Sequence, residues 1–94
     1  MPPRPLQIGP AGQAVASAIE STRTARGYSQ RQLASRVTRL GRPMTFTAVS
    51  RIERRVRRCD IDDLVAIAMA LDVAPHTLLG CRAQPLEPLS EGAT

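Results

Sequence analysis

Eleven arginines and a single acid, Glu53, fall between Arg23 and Arg58, whereas from Cys59 to the C-terminus one arginine, Arg82, faces six acids. A one-signed block of this size repels itself unless something offsets it, which points to a polyanionic partner: nucleic acid first, an anionic membrane surface second. A solvated basic surface is the blander alternative. Within the block Arg54, Arg55, Arg57 and Arg58 crowd into one short run. Such a run suits either a phosphate backbone or a solvated loop. Thr47 and Arg51 stand just upstream at i and i+4, one turn apart if the segment is helical.

Other chemistry is thinly provided. Asp60, Asp62 and Asp63 could suggest a cation site, but no glycine turn or distal bidentate Glu completes the loop pattern, and helix capping accounts for them better. His76, the only histidine, has no Cys, Ser or carboxylate partner at motif spacing. Cys59 and Cys81 form no metal or redox pattern and read as small buried hydrophobes, with a disulfide disfavoured in a reducing compartment. No glycine-rich phosphate loop is present. These absences exclude an enzyme, and no cofactor, metal or small-molecule substrate is expected. With one Tyr, one Phe and no Trp, a stacking platform for single-stranded nucleic acid is disfavoured, and RNA binding is a weaker third possibility because the usual RNA-reading aromatics are missing.

The 94 residues allow one small domain. Prolines at 2, 3, 5 and 10 mark residues 1–10 as a flexible arm, and Pro85, Pro88 and Gly92 mark residues 81–94 as a flexible tail. Residues 11–80 remain for the core, near the lower size limit for unstapled folding. The longest apolar run, Leu64 to Leu71, is far short of the roughly 18 residues of a membrane span. Met1-Pro2-Pro3-Arg4-Pro5 does not lead into a secretory segment. A cytoplasmic protein is expected, and the use of Arg without Lys fits a GC-rich bacterial genome.

Every periodic segment reads as helix, giving an all-α fold. Val15, Ala18, Ile19 and Thr22 form a helical stripe in the first, which Gly27 closes. Ser29 and Gln32 make a capping box for the second, with Tyr28 and Leu33 as its staple. Leu33, Ala34, Val37 and Leu40 are its expected inner face, and Gly41 with Pro43 its stop. Thr45 caps the third, whose core side is Ala48, Val49 and Ile52, leaving Phe46, Thr47, Ser50, Arg51 and Arg54 outside. The fourth opens at Asp60 and buries Leu64, Ile67, Ala68 and Leu71. Pro75 starts a short fifth helix that contains Leu78 and Leu79 and ends at Gly80.

Five short helices in this order, the second and third joined by a turn, resemble the lambda-repressor and Cro (XRE-type) helix-turn-helix family. The resemblance spans about Ile19 to Leu79. It is carried by Arg23, Arg26-Gly27-Tyr28-Ser29-Gln30, Leu33-Ala34, Val49-Ser50-Arg51-Ile52-Glu53, Leu64, Ala68, Ala70-Leu71-Asp72-Val73 and Leu78-Leu79. Two departures stand out. The interval from Leu33 to Glu53 is five residues longer than usual, which is read as a second helix lengthened through Leu40. Arg55 stands where a glycine commonly closes the third helix, so that helix is expected to run on toward Val56.

The resemblance implies a compact five-helix DNA-binding domain acting as a sequence-specific transcriptional regulator of the repressor type, with double-stranded DNA as partner and a homodimer on an inverted repeat. The third helix would enter the major groove. Arg51 would read guanine and Thr47 a thymine methyl, with Phe46 either touching a methyl or covering its own core. Gln30 would meet a phosphate at the start of the second helix, and Arg42, Arg54, Arg55, Arg57 and Arg58 would meet the backbone. Arg23 and Glu53 would form a buried ion pair. The alternative is a protein-interaction module, antitoxin-like or adaptor, built on the same helices.

Overall fold

A computed structural model describes residues 8–79. Most of the expected arm (residues 1–7) and all of the expected tail, with Gly80 and Cys81, lie outside the described residues. Five helices occur among them, and no strand: α1 (Pro10–Ala25), α2 (Gln30–Arg39), α3 (Phe46–Glu53), α4 (Ile61–Leu71) and α5 (Pro75–Leu78). α1 starts one residue earlier than expected, because Pro10 takes the first helical position after Gly9, where its missing N–H is not needed.

The caps follow from local chemistry. Ser29 accepts the Gln32 N–H while Gln32 reaches back to the Ser29 N–H, and Asp60 and Asp63 form a second such box. Thr45 accepts the Ala48 N–H. At their other ends α1, α2, α3 and α4 close alike, each with a left-handed residue: Gly27, Gly41, Arg55 and Asp72. In each the next two N–H groups fold back on carbonyls of the last turn, as Arg55 N to Ile52 O and Val56 N to Arg51 O, satisfying groups that the helix leaves bare. The expected run of α3 toward Val56 is therefore corrected. Arg55 adopts φ +64° and closes the helix where a glycine would.

α2 packs against α3 and α4, while α1 lies across α3, α4 and α5. Ile19, Leu33, Val37, Val49, Ile52, Ile67, Leu71 and Leu78 are the fully buried centre. Each such side chain contributes about 1.5–3 kcal/mol by leaving water. Leu40 is a second correction. It caps α2 rather than continuing its apolar face and is 49% exposed. Met44 is buried in the core instead, held by Thr38, whose hydroxyl donates to the Met44 carbonyl and accepts the Met44 N–H, both at 3.0 Å. The long interval is thus divided between a ten-residue α2 and a connector, 40–45, that is tied down in its middle.

Candidate nucleic-acid interface

α3 buries Val49, Ile52 and Glu53, so its opposite edge must face outward. Phe46, Thr47, Arg51 and Arg54 are exposed there, with Ser50 half-buried. Thr47 and Arg51 are successive residues of that edge, separated by one turn.

Glu53 fixes the orientation of this helix. Its side chain is almost wholly buried yet receives three donors: Arg23 Nε at 2.7 Å on Oε2, and Arg23 Nη2 at 3.0 Å and Gln30 Nε2 at 2.9 Å on Oε1. Arg23 also donates to the Tyr28 carbonyl at 2.9 Å. The hydrogen bond to Glu53 holds the Arg23 guanidinium above its ordinary pKa, with burial opposing it. One carboxylate therefore joins α1, the start of α2 and the end of α3. The Gln30 side chain is committed inward, while backbone N–H groups of the first turn of α2 have no partner within the helix. They leave a positive helix end beside the α3 edge.

Arg31, one residue further, was not singled out by sequence reasoning. Its guanidinium lies over the Phe46 ring, 4.6 Å from the centroid, linking the start of α2 to the start of α3. No spacing rule brings residues fifteen apart in different helices together; the signal was only an exposed aromatic in an arginine-rich chain.

The arginine block divides into two sets. Arg36 Nε donates to the Ala70 carbonyl at 2.9 Å and covers the Tyr28 ring. Arg26 reaches the Asp72 carbonyl at 3.3 Å. Arg55 bonds Ser17 and the Glu53 carbonyl. Arg42 and Arg57 both turn to Asp63, with Arg42 Nε 3.0 Å and Arg57 Nη2 3.4 Å from its oxygens, and Arg42 Nη2 also lies 3.2 Å from Asp60. Among the described residues, the guanidinium groups of Arg39, Arg51 and Arg54 have no such partner. Arg58 is exposed. Of the expected phosphate ligands, then, Arg54, Arg55 and Arg58 are exposed near the end of α3, and Arg42 and Arg57 are half-buried against α4.

No group of side chains among the described residues could hold a metal ion, and no helix among them is long and apolar enough to cross a membrane. Cys59 is half-buried against the core. Burial, reinforced by the Asp63 and Asp60 carboxylates, pushes its thiol up to about 12. The N–H of Asp63 holds the Asp60 carboxyl below its usual range.

A tied connector between two helices, the second presenting a polar and cationic edge outward, defines a helix-turn-helix DNA-binding domain. A helix-turn-helix family model matches residues 19–78. The chain belongs to that family, in its lambda-repressor-like (XRE-type) branch, and is a DNA-binding transcriptional regulator, not an enzyme. Among solved structures it is similar to a hypothetical transcription factor, NHTF, from Neisseria, at 25% identity and TM-score 0.67 over 84% of this chain and 85% of that one. It is similar also to a point mutant of the restriction-modification controller protein C.Esp1396I, at 26% identity and TM-score 0.66 over 78% and 94%. The clp gene regulator ClgR from Corynebacterium glutamicum shares the fold at 20% identity and TM-score 0.66, over 78% of this chain and 72% of that one. No curated protein matches the sequence significantly.

Proposed function

We propose that this protein is a sequence-specific regulator of the repressor type that places α3 in the major groove of double-stranded DNA, acting as a homodimer on an inverted repeat in the bacterial cytoplasm. The observation that carries this reading is the outward edge of α3, where Thr47 and Arg51, whose guanidinium has no partner among the described residues, stand one turn apart. Arg51 has the bidentate donors that match guanine O6 and N7, and Thr47 has the methyl and hydroxyl that match thymine. Phe46 borders the same edge, fixed by Arg31. Arg54 and Arg58 then meet phosphates beyond the helix end, Arg55 joins them only by giving up its bonds to Ser17 and the Glu53 carbonyl, and the start of α2 at Gln30 meets another. That two neighbours are described as a transcription factor and a controller protein supports a regulatory role.

One observation favours the interaction-module reading. Ile61, Val65 and Met69 form an exposed row on α4, and Leu79 is exposed beside it, bordering the same cavity as Ile61. In the regulator reading a second copy of the chain covers this apolar surface. Binding of the purified protein to a random-sequence duplex at low salt separates the two. The regulator binds, with affinity falling steeply as salt rises; an interaction module leaves the duplex free at every salt concentration.

A further inference from the structure

α3 has only eight residues, and a helix so short holds its place through its surroundings rather than through its own hydrogen bonds. Glu53 secures its buried face. A second carboxylate, Asp63, secures its two approaches. Arg42 lies in the connector before α3 and Arg57 in the connector after it, and both guanidinium groups close on Asp63 in the first turn of α4. Asp63 is 1% exposed, and a carboxylate so deeply buried requires charged partners. It also accepts the Asp60 N–H at 3.2 Å, while Asp60 Oδ1 accepts the Asp63 N–H at 2.7 Å. The knot is therefore rigid on the α4 side, and the two arginines are what it holds.

We propose that Asp63 is a positioning residue for base reading: by holding Arg42 and Arg57 it fixes the entry and exit of α3 and withholds both cations from the phosphates. This inference rests on the DNA-binding reading above. Its consequence is unlike that of simple loss of a stabilising pair. Removing the charge of Asp63 loosens α3 and at the same time releases two guanidinium groups toward DNA. Sequence discrimination falls while indiscriminate binding rises.

The test compares the parent with Asp63→Asn and with Asp62→Asn, which makes the same change of charge at an exposed neighbouring site. Binding is measured to the duplex selected by the parent and to a scrambled duplex over a range of salt. For Asp63→Asn the ratio of the two affinities falls by about tenfold or more, the discrimination of one base pair. Its log–log salt dependence steepens by about one to two units per domain, close to 0.9 for each released cation. Asp62→Asn keeps the parental ratio and slope. Equal behaviour of the two variants overturns the proposal. If Asp63→Asn does not fold, Arg42→Gln and Arg57→Gln decide: each lowers the ratio without flattening the slope, and a slope shallower by about one unit marks them as phosphate ligands and overturns it. A parent that binds no duplex at any salt sinks the DNA reading and this inference with it. A parent that binds while Asp63→Asn matches Asp62→Asn sinks the inference alone.

Discussion

Arg23 of α1 and Glu53 of α3 meet through two parallel bonds of 2.7 and 3.0 Å, although thirty residues separate them in the chain. Glu53 is 4% exposed, so removing Arg23 strands a buried carboxylate. Removing Glu53 takes away the carboxylate that accepts from Arg23 Nε, Arg23 Nη2 and Gln30 Nε2, leaving Arg23 only its bond to the Tyr28 carbonyl. Either change to Ala is expected to lower stability by about 3 to 5 kcal/mol, a large part of what a small domain possesses. Thermal melts of Arg23→Ala and Glu53→Ala check this. A melt like the parent's in either variant contradicts the role given to the pair.

Arg55 bears the strain of a left-handed conformation, about 1–2 kcal/mol for a residue with a Cβ. Its bonds to Ser17 and to the Glu53 carbonyl are made by an exposed side chain and offset only part of that. Arg55→Gly is expected to raise stability by up to about 1 kcal/mol, or about 4–8 °C in Tm for a domain of this size. A fall in Tm would show that the side-chain bonds outweigh the strain.

The Cys59 thiol titrates near 12 in the folded chain against an ordinary 9.0. Because the folded value is the higher, the unfolded chain ionises first as pH rises. The contribution of the neutral thiol is complete below pH 9 and is lost as pH climbs from about 9 toward 12. In a Cys81→Ser background, alkylation at pH 8 should run at least about tenfold slower in buffer than in denaturant, since the thiolate is the nucleophile. Equal rates would place Cys59 in water. In the acid direction, Asp60 is held below its ordinary pKa, so its capping contribution is present above about pH 4 and fades as pH falls further.

If about four phosphates are neutralised per domain, affinity for duplex DNA should fall with a log–log salt slope near −4, from about −0.9 per contact. Arg54→Gln should flatten that slope by about one unit while leaving sequence preference intact. Titrations of one duplex at several salt concentrations measure both. An unchanged slope would remove Arg54 from the phosphate contacts.

Helix order, caps and most of the core were legible in the sequence because they depend on neighbours within one or two turns: Ser29 with Gln32, Thr45 with Ala48, Val49 with Ile52. Gly27 and Gly41 announced their turns by residue type. Arg55 and Asp72 did not, since a strained residue is tolerated only when the packing around it dictates the closure. The periodic extension to Leu40 failed for a similar reason, because the connector returns Met44 to the core and leaves Leu40 outside. The knot at Asp63 was hidden because its partners lie 21 and 6 residues away in two different connectors. The expected pairing of Arg23 with Glu53 followed from the family resemblance, whereas the approach of Arg31 to Phe46 had no counterpart in spacing or resemblance.

The central claim is that Arg51 reads a base from the outer edge of α3. Selecting bound duplexes from a random pool with the parent and with Arg51→Ala tests it most directly. Loss of a bidentate base contact removes about 1 to 3 kcal/mol of discrimination at one base pair, so Arg51→Ala should select a motif relaxed at a single position, repeated symmetrically in both half-sites of a dimer. If Arg51→Ala returns the parental motif at uniformly lower affinity, Arg51 is a phosphate ligand and α3 does not read DNA through it.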